Sequence, residues 1–462
     1  EWRRGKDDRI ASLGIGREGP VAGRHLRAHY PGRHLTLIAE APPDPEFSEQ
    51  LMDKDSLLIG PLSEAGLNSF DVLVRSPGIS LYRNSIQQAI ENGVKIVTPS
   101  SLWFAHNPEE KTICVTGTKG KSTTSALLAH MLRSCGYRVI LAGNIGLPLL
   151  ACEDREVDWW VVELSSYQLA DLQAKPDISV ILNLSSEHLD WHGSEKRYHQ
   201  DKLRLADLAA GNPVVANAAD PVLKAALSGL ENVVWFNAGS GIRVSGNRLC
   251  EGGDEVQAII PEGLPGVHNL SNLAAALTVL HLVGADQQSA LESLPSFSSL
   301  PHRLQTLGER GGVQFVNDSI SSTPFATVAA LEAFSGREVT LIVGGLDRGL
   351  DWTPYMRSLR GLLPCAVIGV PDNGPRIVRQ MKDLDLVPLK GLHESANLSD
   401  AVELAKGLTP RGGIVLLSPG APSFPQFRDY RDRGRKFAQL CGFSFSEEDL
   451  FQSGRSKAAG QG

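Results

Sequence analysis

Short apolar runs alternate along the chain with amphipathic segments, and most runs end on glycine or a small polar residue. Near-continuous apolar stretches are what strands covered on both faces look like. Arg9-Ile10-Ala11-Ser12-Leu13 reads as a first strand and Gly14-Ile15-Gly16-Arg17-Glu18-Gly19 as a turn. A helix over Val21 to Tyr30 follows, then a strand over Leu35-Thr36-Leu37-Ile38-Ala39. Asp71-Val72-Leu73-Val74 is a further strand, running into Ser76-Pro77-Gly78. The pattern predicts a small parallel α/β unit that ends near the turn dipeptide Asn107-Pro108.

The second segment opens on a buried-type strand, Lys111-Thr112-Ile113-Cys114-Val115-Thr116. The loop Gly117-Thr118-Lys119-Gly120-Lys121-Ser122-Thr123 comes next, then a helix to about Cys135. Trp159-Trp160-Val161-Val162 leads into Glu163, and Ile178-Ser179-Val180-Ile181-Leu182 leads into Asn183. This segment extends to about Phe297. In the third, from about Leu300, the clearest strands are Val339-Thr340-Leu341-Ile342-Val343 and Ile414-Val415-Leu416-Leu417. A Gly-, Ser-, Lys- and Gln-rich tail after about Phe451 is expected to fray. The fold class is α/β. At roughly 100–200 residues per domain, 462 residues favour three domains, here 1–107, 108–299 and 300–462.

Charge and composition narrow the function. A net charge of -7 and a pI of about 6.0 speak against a nucleic-acid-coating role. No apolar run reaches the ~18 residues a membrane helix needs. No charged-then-apolar leader is visible, although a chain starting at Glu1 leaves a removed leader open. Six cysteines with no CxxC pair, the nearest two 17 positions apart, read as reduced core thiols and point to a reducing compartment, the cytoplasm.

The strongest chemical signal is the loop Gly117 to Thr123 between a strand and a helix. Backbone N–H groups of such a loop cradle phosphates, and the helix N-terminus adds partial positive charge. Lys121 is placed to reach the phosphates and Ser122 to ligate Mg²⁺. The spacing departs from a standard Walker A motif, because Val115 stands five residues before Gly120 where a glycine is expected. In open α/β sheets ligands bind beyond the carboxyl ends of strands. Two more strands end there in polar groups, Glu163-Leu164-Ser165-Ser166 and Asn183 to Asp190 with Glu187 and His188. A carboxylate and an imidazole beside a triphosphate suit Mg²⁺, a hard cation that keeps several waters. The other glycine motif, Gly14-x-Gly16-x-x-Gly19, has Glu40 21 residues after its last glycine, where an acid can take a ribose hydroxyl. Beside a separate ATP site, it is best read as holding a nucleotide that is part of the substrate. Two rivals remain: a nicotinamide dehydrogenase built on Gly14 to Glu40, and a non-catalytic nucleotide-binding module. The first leaves the phosphate loop unexplained and the second leaves Lys121, Glu163 and His188 without a task.

Further motifs carry a resemblance. Gly143-Asn144-Ile145-Gly146-Leu147-Pro148, Glu163-Leu164-Ser165-Ser166-Tyr167-Gln168-Leu169 and Glu187-His188-Leu189-Asp190 stand in the order in which the Mur ligases carry similar sequences. Asn217-Ala218-Ala219-Asp220, His268-Asn269-Leu270-Ser271-Asn272, Pro301-His302-Arg303 and Asn317-Asp318-Ser319 continue it. The chain therefore resembles the Mur ligases over nearly its whole length, most closely the branch that adds glutamate to UDP-N-acetylmuramoyl-L-alanine in peptidoglycan synthesis. A folate-type ligase is the nearest rival of the same class.

The resemblance implies a Rossmann-like N-terminal domain, a central P-loop-type ATPase domain with a mostly parallel sheet, and a Rossmann-like C-terminal domain. It implies an acyl-phosphate mechanism with ATP and two Mg²⁺ ions, in a monomer. By motif matching, Gly117, Thr118, Lys119, Gly120, Lys121, Ser122, Thr123, Asn269, Asn272, Arg303 and Asp318 contact ATP. Ser122 and Glu163 hold one Mg²⁺, and His188 with a carbamylated Lys202 holds a second. Arg17, Glu18, Glu40, Ser76 and Gly78 hold uridine and diphosphate, and Asn144, Ser165 and Gln168 the muramoyl-alanine part. Arg348, Ser322, Ser423 and Phe424 frame the amino-acid pocket. The chain departs from the common D-glutamate pattern at Ile320, where that pattern has lysine, at Pro422, and at Lys119, where asparagine is common. Losing a cation and gaining a proline beside the pocket favour the branch that adds L-glutamate, with D-glutamate as the alternative.

Overall fold

The computed structural model describes residues 9–14, 18–40, 55–145, 147–152, 156–239, 241–261, 264, 266–297, 300–347, 349 and 351–444. Arg17, Arg348 and the tail after Phe451 lie outside them. The chain divides into two compact units. One holds Glu1–Ala258 and Leu270–Ser293, the other Ile259–Asn269 and Leu294–Leu450.

The first unit contains two parallel sheets. In the N-terminal one the strand order is Ser56–Ile59, Leu35–Ala39, Ile10–Leu13, Val72–Arg75, Lys95–Val97. The chain moves outward on one side of Ile10–Leu13 and then crosses to the other. The switch point therefore lies at the carboxyl ends of Ile10–Leu13 and Val72–Arg75, where Gly14 and Ser76 sit. The central sheet runs Val233–Phe236, Val214–Asn217, Ile178–Ile181, Thr112–Thr116, Trp159–Glu163, Val139–Gly143. Its switch point is the end of Thr112–Thr116, a strand buried at every position, as its unbroken apolar character requires. A small antiparallel sheet, Arg243–Ser245, Arg248–Glu251 and Asp254–Glu255, follows.

Buried polar contacts join the two parallel sheets. Arg75, fully buried, holds Asp171 in a bidentate pair at 3.0 and 2.5 Å and also donates to the carbonyls of Ile79 and Tyr167. Tyr82 donates to Asp201 at 2.6 Å and Ser80 to the Trp191 carbonyl at 2.6 Å. In the second unit the order is Gln305–Arg310, Val313–Asn317, Ile414–Leu417, Val339–Val343, Ala366–Gly369, Leu392–Glu394, parallel except for the first pair.

The predicted strands over Leu35–Ala39, Val339–Val343 and Ile414–Leu417 are found at their expected limits. The first helix begins earlier, at Gly19, because Pro20 is well suited to a first turn where no N–H partner is needed. All six cysteines are free, but only Cys114, Cys365 and Cys441 are buried. Cys135, Cys152 and Cys250 are half-buried, which corrects the reading of all six as core thiols. No described helix is long and apolar enough to cross a membrane.

Removing one partner of a buried ion pair strands the other charge and costs about 3–5 kcal/mol. Asp171→Ala should lower the urea midpoint accordingly. The double change Arg75→Met with Asp171→Leu should restore much of the loss.

Candidate functional site

At the central switch point the chain leaves Thr116 through Gly117 at φ 154° and enters the helix Lys121–Ser134 through Gly120 at φ 82°. Only glycine adopts such angles readily. At Gly120 a side chain would also be blocked, since a Cβ would stand 2.3 Å from the Asn272 side-chain oxygen. Asn272 therefore lies over the loop. Thr118 accepts a hydrogen bond from the Tyr198 hydroxyl at 2.9 Å, and Asn183 clamps both the N–H and the carbonyl of Lys119. The Lys119 amine pairs with Glu187. Ser122 is buried and Thr123 half-buried on the first helical turn.

Two lysines converge on one oxygen. Lys121 donates to the Gly117 carbonyl at 2.9 Å, and Lys202, from the helix Glu195–Leu208, donates to the same atom at 2.7 Å. Lys202 is 1% exposed. Burial, with the Lys121 charge adding to it, pushes the Lys202 amine far below the ordinary lysine range.

Glu163 ends its strand 1% exposed. One carboxylate oxygen accepts from the Asn144 amide at 2.7 Å, while the other is buried with no hydrogen-bond partner among the described residues. A buried carboxylate oxygen in this state fits a hard cation, and the neighbouring Ser122 hydroxyl adds to an oxygen donor set. Gly143, at φ 102°, lets Asn144 approach, because a Cβ there would lie 2.4 Å from the Glu163 carbonyl. His188 caps Leu189–His192 in a left-handed conformation, φ 55°, with its ring 5.0 Å from Tyr167. Burial lowers its pKa against the opposing pull of Glu187, and the Lys121 charge adds to the lowering.

Ser165 and Gln168 form a reciprocal cap on the turn Ser166–Leu169. The Gln168 side-chain N–H also donates to Glu18 at 2.9 Å. Gln168 thus orients Ser165 and Glu18 rather than presenting a free amide. On the N-terminal sheet Ser76 donates to the Gly14 carbonyl at 3.1 Å, Gly78 is exposed, and Glu40 pairs with Arg83 at 2.7 Å.

The second unit gathers a cluster where the strands Val313–Asn317 and Ile414–Leu417 end and Gln305–Arg310 begins. Asp318 is buried and accepts from Ser418 at 2.7 Å, from Ser321, and from the Leu304 N–H at 3.1 Å. Burial raises its carboxyl to about 6 against these hydrogen bonds and the Arg303 charge. Ser423 is buried, Ser322 half-buried and Phe424 exposed. Asn269 is buried on the first turn of the helix Val267–Val283, one turn before Asn272.

Sequence reasoning missed several organising groups. Arg433, 3% exposed, donates to the Ser319 hydroxyl and to the Ser319 and Ala421 carbonyls, tying two strand-end loops together. Burial pushes it down to about 10. His192, fully buried, bridges Asp201 at 2.6 Å and Ser166 at 3.0 Å. An arginine in an amphipathic helix and a histidine next to a tryptophan carry no local signal for such roles.

The Mur ligase middle-domain family matches residues 115–280, and the Mur ligase MurD-like N-terminal domain family matches residues 8–98. A protein of Xanthomonas oryzae pv. oryzae named UDP-N-acetylmuramoyl-L-alanine--L-glutamate ligase is 44% identical over 445 residues, 94% of this chain and 95% of that one. Proteins of the same name from Xylella fastidiosa (Temecula1) and Salinispora tropica are 42% and 38% identical, over 94% and 93% of this chain and 95% and 96% of theirs. Among solved structures, UDP-N-acetylmuramate-alanine ligase of Thermotoga maritima superposes with a TM-score of 0.60 at 18% identity, over 94% of this chain and 99% of that one. The MurF ligase of the same organism in complex with ADP gives 0.57 at 17% identity, over 97% and 96%. At these identities the structural likeness is one of fold.

Because the folded state raises the Asp318 pKa, the group's contribution to stability is fully present below its ordinary value near 3.8 and is lost as pH rises through about 6. Asp318→Asn removes that dependence. Urea midpoints across pH 4 to 7 should fall for the native chain relative to the variant as pH rises.

Proposed function

We propose that this chain, which belongs to the Mur ligase family, joins L-glutamate to the alanyl carboxylate of UDP-N-acetylmuramoyl-L-alanine with ATP as the driving co-substrate. The observation that carries this reading is the convergence of the phosphate-type loop, the buried Glu163 carboxylate and the buried Lys202 amine at the central switch point. In the reaction a carboxylate oxygen attacks the γ-phosphorus of ATP, the bond to the β-phosphate oxygen breaks, and ADP leaves. The glutamate amine then attacks the acyl carbon and phosphate departs, with the amine proton lost to a base or water. Two anions must meet in the first step, so cations have to offset their repulsion.

Lys121 and the loop N–H groups supply part of that offset. Mg²⁺ would neutralise phosphate charge, held by Ser122 and Glu163 at one position and by His188 and a carbamylated Lys202 at a second. A desolvated amine kept neutral has the lone pair needed to take up carbon dioxide, which supports carbamylation of Lys202. Asn144 and Ser165 contact the muramoyl-alanine part, with Gln168 positioning Ser165. Arg17, Glu18, Glu40, Ser76 and Gly78 take the uridine diphosphate. Asn269, Asn272, Arg303 and Asp318 contact ATP, and Ser322, Arg348, Ser423 and Phe424 frame the glutamate pocket. The domains run 1–107, 108–299 and 300–462. The chain works as a monomer in the cytoplasm, where UDP-linked precursors are made. L-glutamate rather than D-glutamate is supported by the names of the relatives and by Ile320, which leaves no lysine at that position.

With both enantiomers side by side, ADP release should require UDP-N-acetylmuramoyl-L-alanine and should favour L-glutamate. Equal or greater turnover with D-glutamate overturns that specificity. Loss of one charge-stabilising donor costs about 10²–10³ in kcat, so Lys121→Ala should fall by that order with the fold intact. Lys202→Ala should fall comparably and recover in part with a small added carboxylate, and unchanged rates would count against carbamylation.

A further inference from the structure

Away from the phosphate loop, three imidazoles meet between two helices. His25 and His29 lie one turn apart on Gly19–His29, and His106 ends the helix Pro99–His106. Both helices pack on one face of the N-terminal sheet, through Ala22 and Leu26 from the first and Leu102 from the second. The ring centroids are 4.1, 4.6 and 4.8 Å apart. One ring nitrogen of each lies within 4.8 Å of the other two.

The hydrogen bonds set the tautomers. His29 Nδ1 is 2.9 Å from the His25 carbonyl and His106 Nδ1 is 2.9 Å from the Leu102 carbonyl. A carbonyl oxygen only accepts, so each Nδ1 carries the proton and each Nε2 the lone pair. His25 Nε2 is 3.2 Å from His106 Nδ1 and accepts from it, a hydrogen bond that a bound ion would replace. Anchoring one ring N–H to a backbone carbonyl while the other nitrogen keeps its lone pair is how metal-binding histidines are oriented. His25, His29 and His106 also line a cavity of about 950 Å³ whose wall includes Cys152 and Glu156. His29 is exposed, which opens a route for exchange with solvent.

We propose that His25, His29 and His106 form a binding site for a divalent transition metal of the zinc class, with a further coordination position open to this cavity. Neutral imidazoles suit zinc, cobalt, nickel and copper, whereas Mg²⁺ prefers oxygen. Zinc–nitrogen bonds of about 2.0–2.1 Å set tetrahedral ligand atoms roughly 3.4 Å apart, so binding requires the ring nitrogens to draw together from their present spacing. A bound ion fastens the two helices to each other. It is separate in chemistry from the Mg²⁺ of the phosphate loop, and the inference does not rest on the ligase reading.

The test uses the full chain, stripped with chelator, with excess Mg²⁺ and ADP present, and titrated with Co²⁺. The expected result is one equivalent of Co²⁺ giving visible bands of tetrahedral type, displaced by Zn²⁺, with a thermal transition that rises with metal concentration. His29→Ala and His106→Ala should each weaken binding by more than about tenfold while leaving the metal-free transition and the ligase rate unchanged. His29→Gln, at an exposed position, serves if His106→Ala unfolds. Absence of a saturable band, or a band of undiminished strength in the histidine variants, overturns the proposal.

Discussion

The Gly117 carbonyl is the atom on which the central site is built. It accepts from Lys121 and from Lys202, two amines brought within reach of each other in a buried place. The arrangement has a physical tension. Two ammonium groups on one oxygen repel, and burial removes the water that would screen them. Depression of the Lys202 pKa is the way out, because a neutral amine still donates to the carbonyl. The loop conformation, the position of the Glu195–Leu208 helix and the reactivity of Lys202 are therefore one constraint seen from three sides.

Around that atom the scaffold repeats a single device. Strands end, the chain turns through glycine or a small polar residue, and side chains from non-adjacent segments lock the turn. Asn272 lies over Gly120, Asn183 clamps Lys119 and Asn144 holds Glu163. In the second unit Ser418, Ser321 and Arg433 do the same around Asp318 and Ser319. Glu163 differs from these locked groups in having one buried carboxylate oxygen with no hydrogen-bond partner among the described residues.

Much of this was legible in the sequence. Buried parallel strands carry an unbroken apolar signature, so Thr112–Thr116, Val339–Val343 and Ile414–Leu417 could be placed within a residue. Glycine and lysine at fixed spacing revealed the loop. The small sheet around Arg248 and the strand Gln305–Arg310 were not legible, because exposed short strands lack that signature. Arg75, Tyr82, His192 and Arg433 escaped for another reason. Their partners are distant in the chain, and a buried polar side chain is recognised only by what it touches. Gln168 also caps a helical turn and holds Glu18, contacts that the motif alone did not announce.

The Arg75–Asp171 pair limits how this chain can be recombined. Asp201, adjacent to Lys202, takes hydrogen bonds from Tyr82 of the N-terminal segment and His192 of the central one. A chimera that exchanged the first segment, with its strands from Ile10–Leu13 to Lys95–Val97, would leave Asp171 and Asp201 facing foreign side chains. Exchanging that segment would thus change the lysine's surroundings, unless Arg75, Ser80 and Tyr82 were kept.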